Sequence, residues 1–323
     1  MKKLFTNAKK WFIILLMDKY ILLLLSAFLF SSEFIFVKLF ETKNGSSYTS
    51  ALAFSLGSSV IGLPILLLCF FICNGCSFSG LGVGGFTLGM AAALALVSVA
   101  ANVIGIKAVS IGSVAVYTLF MMLGGMIIPF FVGAVFLGET VKVWYVIATV
   151  MLTGALILPV FDKTQGQTGQ KGKFWLFIVL CSLLFLLNGA NSTIGNLHQR
   201  KAGARLDDVV VFTVVFLIWK YIFKILYCGV LFATCRDKGK CKLLLGRDSW
   251  TMGTGFAAVH IAATLLQLYC AISVNASLMY PLVTGGTLVF TPILSRVMFK
   301  EKINLFVAAE MLISVAATVL FVF

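Results

Sequence analysis

An all-α integral membrane protein is what this sequence predicts, and three observations carry that reading. Hydrophobic residues make up 61% of the 323-residue chain and charged residues only 11%. The mean hydropathy is +1.07, whereas a soluble domain carries about a quarter charged residues. The apolar runs are continuous over about twenty residues, the length of a spanning helix, where barrel strands would alternate over about ten. Lipid admits only helices or closed barrels, because each must satisfy its own backbone, and the continuous runs select helices.

Ten spans follow in order, at about 19–40, 50–73, 84–106, 111–136, 142–161, 174–197, 209–233, 250–272, 274–298 and 303–323. Their connections are short and polar. The longest are 162–173, the basic stretch 198–208 and the Arg236–Asp248 loop. Residues 1–17 set Leu4, Phe5, Ala8, Trp11 and Phe12 against Lys2, Lys3, Lys9 and Lys10, the pattern of an interfacial amphipathic helix. A cleaved signal peptide fits less well, since Asp18-Lys19 interrupts the apolar run and no small-residue cleavage site follows. Trp144, Trp175 and Trp250 open spans and read as interfacial anchors.

The net charge of +14 would suggest nucleic acid in a soluble protein. Here the bases gather in loops and at helix ends, a pattern of topology and anionic headgroups, and no nucleic-acid partner is expected. The eight cysteines form no metal pattern. Cys73-Asn-Gly-Cys76 has redox spacing without a βαβ context, and Cys69, Cys181, Cys228 and Cys270 read as small hydrophobes within spans.

A repeat is visible. Ala108-Val109-Ser110-Ile111 recurs as Ala271-Ile272-Ser273-Val274, and the same offset pairs Tyr117 with Tyr280 and Pro129 with Pro292. One deletion later Glu139 pairs with Glu301. The matched stretches fall at spans four and nine. Five spans per half is an odd number, so the halves, 1–161 with its amphipathic segment and 162–323, are expected to lie in the membrane with opposite topology. Inverted repeats are a hallmark of secondary transporters.

Met126-Ile-Ile-Pro129 through Leu137-Gly-Glu139, and Phe290-Thr-Pro292 through Phe299-Lys-Glu301, resemble the Pro…Gly-Glu signature of EamA-type drug/metabolite transporters. Phe30-Ser31-Ser32-Glu33-Phe34 through Lys38 is similar to that family's Trp-Gly-x-x-Phe…Lys opening, with Asn188-Gly189 through Asn191 as a weaker echo. The chain departs from the family at Phe30, where Trp is usual, and at Lys300, where Gly is usual. The resemblance implies a ten-helix transporter with cytoplasmic termini and a cavity lined by the opening motif. Cytoplasmic termini suit the basic N-terminus, Arg200, Lys201 and Arg205, while Lys163, Lys171, Lys173 and the bases of Arg236–Arg247 would then face outward.

Charges deep in a span cost at least about 2.5–3.5 kcal/mol on insertion scales, so each needs a reason. Glu33 reads as a cavity carboxylate for a cation or a proton, with a structural pair to Lys38 as the rival. His260, Thr264 and Gln267 share a helix face, and an unperturbed histidine titrates near neutral pH. Glu310 joins Glu33 and His260 as a coupling candidate. Lys220 and Lys224, four apart in span seven, are expected to snorkel; with Lys38 they are the alternative set for an anion. Asn102, Tyr117, Asn191 and Tyr280 complete the expected substrate-binding residues, the tyrosines because the repeat gives them equivalent depths. Ser110, Asn188 and Thr284 are further polar candidates. His198, near a helix end, is expected to be solvated. Glu139 and Glu301 are expected to open the following helix, where a carboxylate suits the dipole.

No catalytic constellation, phosphate loop or metal spacing emerges, so neither an enzyme nor a resident cofactor is expected. The expected function is secondary transport of a small polar or amphipathic metabolite (amino-acid-like, amine or drug-like) by alternating access, with protons or another coupling ion as further partners. The protein is expected in the inner or plasma membrane, as a monomer. Transport of anionic or phosphorylated metabolites through Lys38, Lys220 and Lys224 is the alternative. An intramembrane lipid-modifying enzyme or a channel is the rival of another class.

Overall fold

Without water to bond peptide groups, an apolar run closes its hydrogen bonds within itself, and each run becomes a helix. The computed structural model describes residues 19–45, 47–73, 83–161, 174–201, 206–234 and 240–321. The helices are α1 (Lys19–Asn44), α2 (Tyr48–Cys73), α3 (Gly85–Val109), α4 (Val114–Phe136), α5 (Val143–Ile157), α6 (Phe174–Lys201), α7 (Leu206–Thr234), the short α8 (Lys240–Leu245), α9 (Arg247–Cys270), α10 (Ala276–Phe299) and α11 (Leu305–Leu320). The described residues contain no strand. Among them, nine helices are long and apolar enough to cross a membrane, and α11 is a shorter apolar helix. The chain is therefore an all-α, multi-pass integral membrane protein. The amphipathic segment 1–17, Cys76 of the Cys73-Asn-Gly-Cys76 pair, Lys163, Lys171 and Lys173 lie outside the described residues.

Several boundaries move. Span six reaches Lys201 rather than 197, and span five ends in a 3-10 turn at Leu158–Phe161. The Arg236–Asp248 connection contains α8, which the sequence reading treated as loop. The exterior is apolar, with Phe136, Val143, Leu226, Leu305 and Leu312 exposed and Trp144, Trp175 and Trp250 exposed at helix starts. Such a surface needs lipid around it.

Helix directions follow from contacts. Along α1, Ser26 Oγ donates to the Ala263 carbonyl, Glu33 meets His260 and Lys43 meets Asp248, so α1 and α9 are antiparallel. Ser31 Oγ donates to the Thr287 carbonyl and Lys38 meets Glu301, so α1 and α10 are parallel. Likewise α6 runs parallel to α4, through Gly112 against Phe177 and Gly189 against Ile128. It runs antiparallel to α3, through Gly195 against Leu94 and His198 against Thr87. Further packing joins α2 to α7, α4 to α10 and α5 to α11. The end where α1 begins is called the proximal face below, and the end where it finishes the distal face.

Two large apolar clusters make up most of the packed interior among the described residues. One gathers Leu23, Met126, Leu152, Met279, Leu282 and Phe321 from α1, α4, α5, α10 and the end of α11. The other gathers Leu66, Leu94, Phe212, Leu217 and Leu268 from α2, α3, α7 and α9. Small residues set the spacing, as is usual where lipid-embedded helices pack. A Cβ on Gly124 would collide with the Phe185 carbonyl oxygen.

The ends of α4 and α10 explain the Gly-Glu and Lys-Glu pairs of the sequence. Gly138 has φ +63, and the chain turns so that Glu139 N–H donates to the Gly133 carbonyl at 3.0 Å, a left-handed helix stop. At the matching point Lys300 adopts φ 56, ψ 29. It is the only non-glycine residue with positive φ among the described residues. A side chain in that region costs roughly 1–2 kcal/mol. Lys300→Gly should therefore raise the melting temperature in detergent by about 1–2 °C, whereas Gly138→Ala should lower it by a similar amount. Scanning fluorimetry of both variants reads the two opposite signs.

Candidate functional site

Three helices bring charge to one point near the middle of each. α1 supplies Glu33, α9 supplies His260 and α7 supplies Lys220. His260 Nδ1 lies 3.0 Å from Glu33 Oε1, and Lys220 Nζ lies 2.8 Å from His260 Nε2. An ammonium has only donors, so Lys220 donates to Nε2. The ring proton then sits on Nδ1 and is donated to the Glu33 carboxylate. The result is a carboxylate–imidazole–ammonium chain in which each bond fixes the next. The Glu33 and His260 side chains keep 15% and 12% of their exposure, so the chain is enclosed without being sealed.

Aromatic rings wall the cluster. Phe256 stacks on His260 with ring centroids 5.7 Å apart. Lys220 Nζ lies over the Phe216 ring at 5.5 Å, and Lys224 Nζ over the Phe256 ring at 5.9 Å. Neither lysine snorkels, contrary to expectation: Lys224 is 6% exposed, and Lys220 is held by the imidazole. Lys220 turns into the bundle because His260 accepts its hydrogen bond there, and Lys224, one turn on, lies over the Phe256 ring on the same side. Glu33 meets His260, and Lys38 meets Glu301 instead at 2.5 Å.

The other candidates scatter. Asn102 Oδ1 accepts from Ser55 Oγ at 3.0 Å, and Ser55 Oγ lies 3.6 Å from Cys228 Sγ, one turn beyond Lys224 on α7. Tyr117 donates to Met121 Sδ at 3.3 Å and packs on Gly105, within the cluster of α3, α4 and α6. Tyr280 donates to the Ser192 carbonyl and belongs to the α1–α4–α10 core, so the two tyrosines belong to different packing clusters. Asn191 lies on α6 with a buried Oδ1 that has no partner among the described residues. Gln267 is half-buried on α9, two turns from His260. Glu310 is buried on α11, which packs on α5 and α10, away from α7 and α9.

Two ends of the bundle carry ion pairs. Glu139 is 1% exposed; it pairs with Arg200, and its two oxygens accept from Ala276 N–H and Ser277 N–H at 2.9 Å each. Arg200 also donates to Asn275 Oδ1 at 3.3 Å. The carboxylate thus caps α10, not the following helix α5 as expected, because the turn at Gly138 aims it across the bundle. The distal pair, Lys38 with Glu301, is 36% and 49% exposed. His198 corrects another expectation. It is fully buried, 3.1 Å from Thr87 Oγ1 and stacked on Phe212 at 3.8 Å, because α6 continues past it into the packed core. The Arg200–Glu139 pair was missed because Arg200 falls in a stretch whose basic composition reads as loop.

A cavity of about 400 Å³ lined by Phe86, Met90, Leu137, Leu197 and Arg200 opens beside this proximal pair. It is separate from the Glu33 cluster. Among the described residues no three His, Cys, Asp or Glu side chains gather as a ligand set for a metal.

This geometry defines a class: a polytopic helical membrane protein with a charged, aromatic-walled site deep in the bundle. No protein-family model matches the chain, and no curated protein does either. Among solved structures 28 chains match. One, described as "Crystal structure of protein", has a TM-score of 0.66 at 12% identity and covers 94% of each chain. Likeness at that identity shows the fold alone.

The two end pairs give unequal expectations. Glu139→Gln strands a mostly buried guanidinium and weakens the α10 cap, so it should cost roughly 3 kcal/mol. Glu301→Gln breaks an exposed pair worth about 1 kcal/mol or less. Thermal unfolding in detergent should separate the two by several degrees.

Proposed function

We propose that the chain is a secondary transporter that moves a small metabolite by alternating access, built as two inverted five-helix halves, 1–161 and 162–323. The observation that carries this reading is the Glu33–His260–Lys220 chain. It joins α1 of the first half to α7 and α9 of the second at mid-depth, where transporters of inverted-repeat design bind substrate.

The packing supports the two-half design. Exchanging the halves turns the contacts of α1 with α9 and α10 into those of α6 with α3 and α4, and both sets are present with matching directions. The α2–α7, α4–α10 and α5–α11 pairs map onto themselves. Each half also contributes a glutamate after a left-handed stop, paired with a base from the other half. The resemblance of the Pro…Gly-Glu stretches to EamA-type drug/metabolite transporters points the same way, as do its implications of ten spans and cytoplasmic termini in an inner or plasma membrane.

Unequal burial of the two end pairs supports alternating access. The proximal Glu139 carboxylate is dry, while the distal Lys38–Glu301 pair meets solvent. Near the proximal end of α6, Asn196 and Gln199 are buried with side-chain amides that find no partner among the described residues. Such groups are costly while enclosed, and water entering an opened proximal face relieves them. A proton on the imidazole would break its bond from Lys220, so the chain is also suited to coupling transport to protons.

A thermal-shift screen of the purified protein against metabolites, followed by counterflow of the hits in proteoliposomes, tests transport. Saturable counterflow is expected; a conductance without it would indicate a channel. Glu33→Asp retains the charge but withdraws it from His260, so uptake should fall roughly tenfold or more while the protein still folds and purifies in detergent. Unchanged uptake would reduce the chain to a structural strut. Single cysteines at Thr42 and Thr140, one at each end of the bundle, should react with an impermeant maleimide from opposite sides of the membrane.

A further inference from the structure

Two lysines in this cluster share one carboxylate, Glu33. Lys220 is hydrogen-bonded into the chain, whereas Lys224 makes no hydrogen bond or ion pair among the described residues. It is 6% exposed, with only the Phe256 ring beneath it at 5.9 Å. The remaining acids of the described segments are no remedy. Glu41, Asp207, Asp208, Asp248 and Glu301 stand at helix ends, Glu139 is committed to Arg200, and Glu310 lies on a helix that packs on neither α7 nor α9. An ammonium at this depth that has no acid of its own is strongly disfavoured. Headgroups do not reach it, because Lys224 stands within the span and its amine is turned inward.

Resting on the transporter reading above, we infer that the transported solute is a small organic monoanion, a carboxylate, held between Lys220 and Lys224. The lysines are four residues apart on one face of α7, about 5–6 Å between Cβ atoms, a spacing suited to the two oxygens of one carboxylate. Lys220 spends one of its three N–H donors on His260 and keeps two for a ligand. A single negative charge neutralises the cluster; a phosphate dianion would overcompensate it. Phe216 and Phe256, already beneath the ammoniums, offer apolar surface to the body of the solute. Lys38, committed to Glu301 at the distal face, takes no part.

The test uses the purified full chain in detergent, with sodium acetate, lactate and benzoate as probes. Sodium chloride, inorganic phosphate and methylammonium chloride at matched ionic strength are the comparisons. At least one monocarboxylate should raise the melting temperature by about 3 °C or more at saturation. Lys224→Met replaces a cation that has no acid of its own by an apolar chain of similar length, so its ligand-free melting temperature should equal or exceed that of the wild type, and the carboxylate shift should vanish. Lys224→Arg and Lys38→Met should keep the shift. A carboxylate shift that survives in Lys224→Met overturns the assignment. So does equal stabilisation by chloride, or stabilisation by phosphate or methylammonium in place of carboxylate. Counterflow separates the two claims. A Lys224-dependent carboxylate shift without counterflow removes the transporter reading and leaves the site. Counterflow of an amine that carboxylates do not inhibit does the reverse.

Discussion

Charge in hydrocarbon must be compensated where it stands, and the Glu33–His260–Lys220 chain is how this bundle meets that requirement. Each partner comes from a different helix, so compensation is also a geometric constraint. α1, α7 and α9 are held at one depth because the carboxylate, imidazole and ammonium reach one another only there. Lipid gives helices no hydrophobic reason to associate, so a bonded polar chain contributes specificity that apolar packing alone lacks. Apolar contacts then set the distances around it, as where Phe36 fills the space over Gly255 between α1 and α9.

The same constraint operates at the ends with a different outcome. Glu139 satisfies two backbone donors of α10 and the Arg200 guanidinium together, so burying it costs little. Glu301 has Lys38 as its side-chain partner and remains in contact with solvent. Two glutamates in similar local sequences therefore do different work. The buried one locks α4, α6 and α10 together, while the exposed one joins α1 to the end of α10 with a bond that solvent weakens. The two ends of the bundle are therefore held with unequal strength.

Much of the fold was legible in the sequence. Hydropathy marked the spans because each helix in lipid must be apolar over the membrane's thickness, and that depends on local composition alone. Glu33 and His260 stood out for the same reason, as costly residues within otherwise apolar runs. Direction of pairing was less legible. Glu33 had Lys38 as a nearby candidate along its own helix, yet α9 lies closer to its carboxylate than Lys38 does. Lys220 and Lys224 suggested snorkelling because sequence gives the stem length but not the direction in which compensation waits. His198 looked solvated because the end of α6 could not be told from a basic loop.

What the sequence by itself determined is the class: helices, their approximate limits, their membrane setting, and the costly residues that require an explanation. These follow from transfer free energies that act residue by residue. What only the tertiary structure decided is which costly residues meet. That Glu33 binds His260, that His260 binds Lys220, that Glu139 caps α10, and that Lys224 has no acid of its own are matters of helix rotation and crossing. Such contacts join residues 40 to 227 positions apart, and they depend on packing between helices, which no local window of sequence contains.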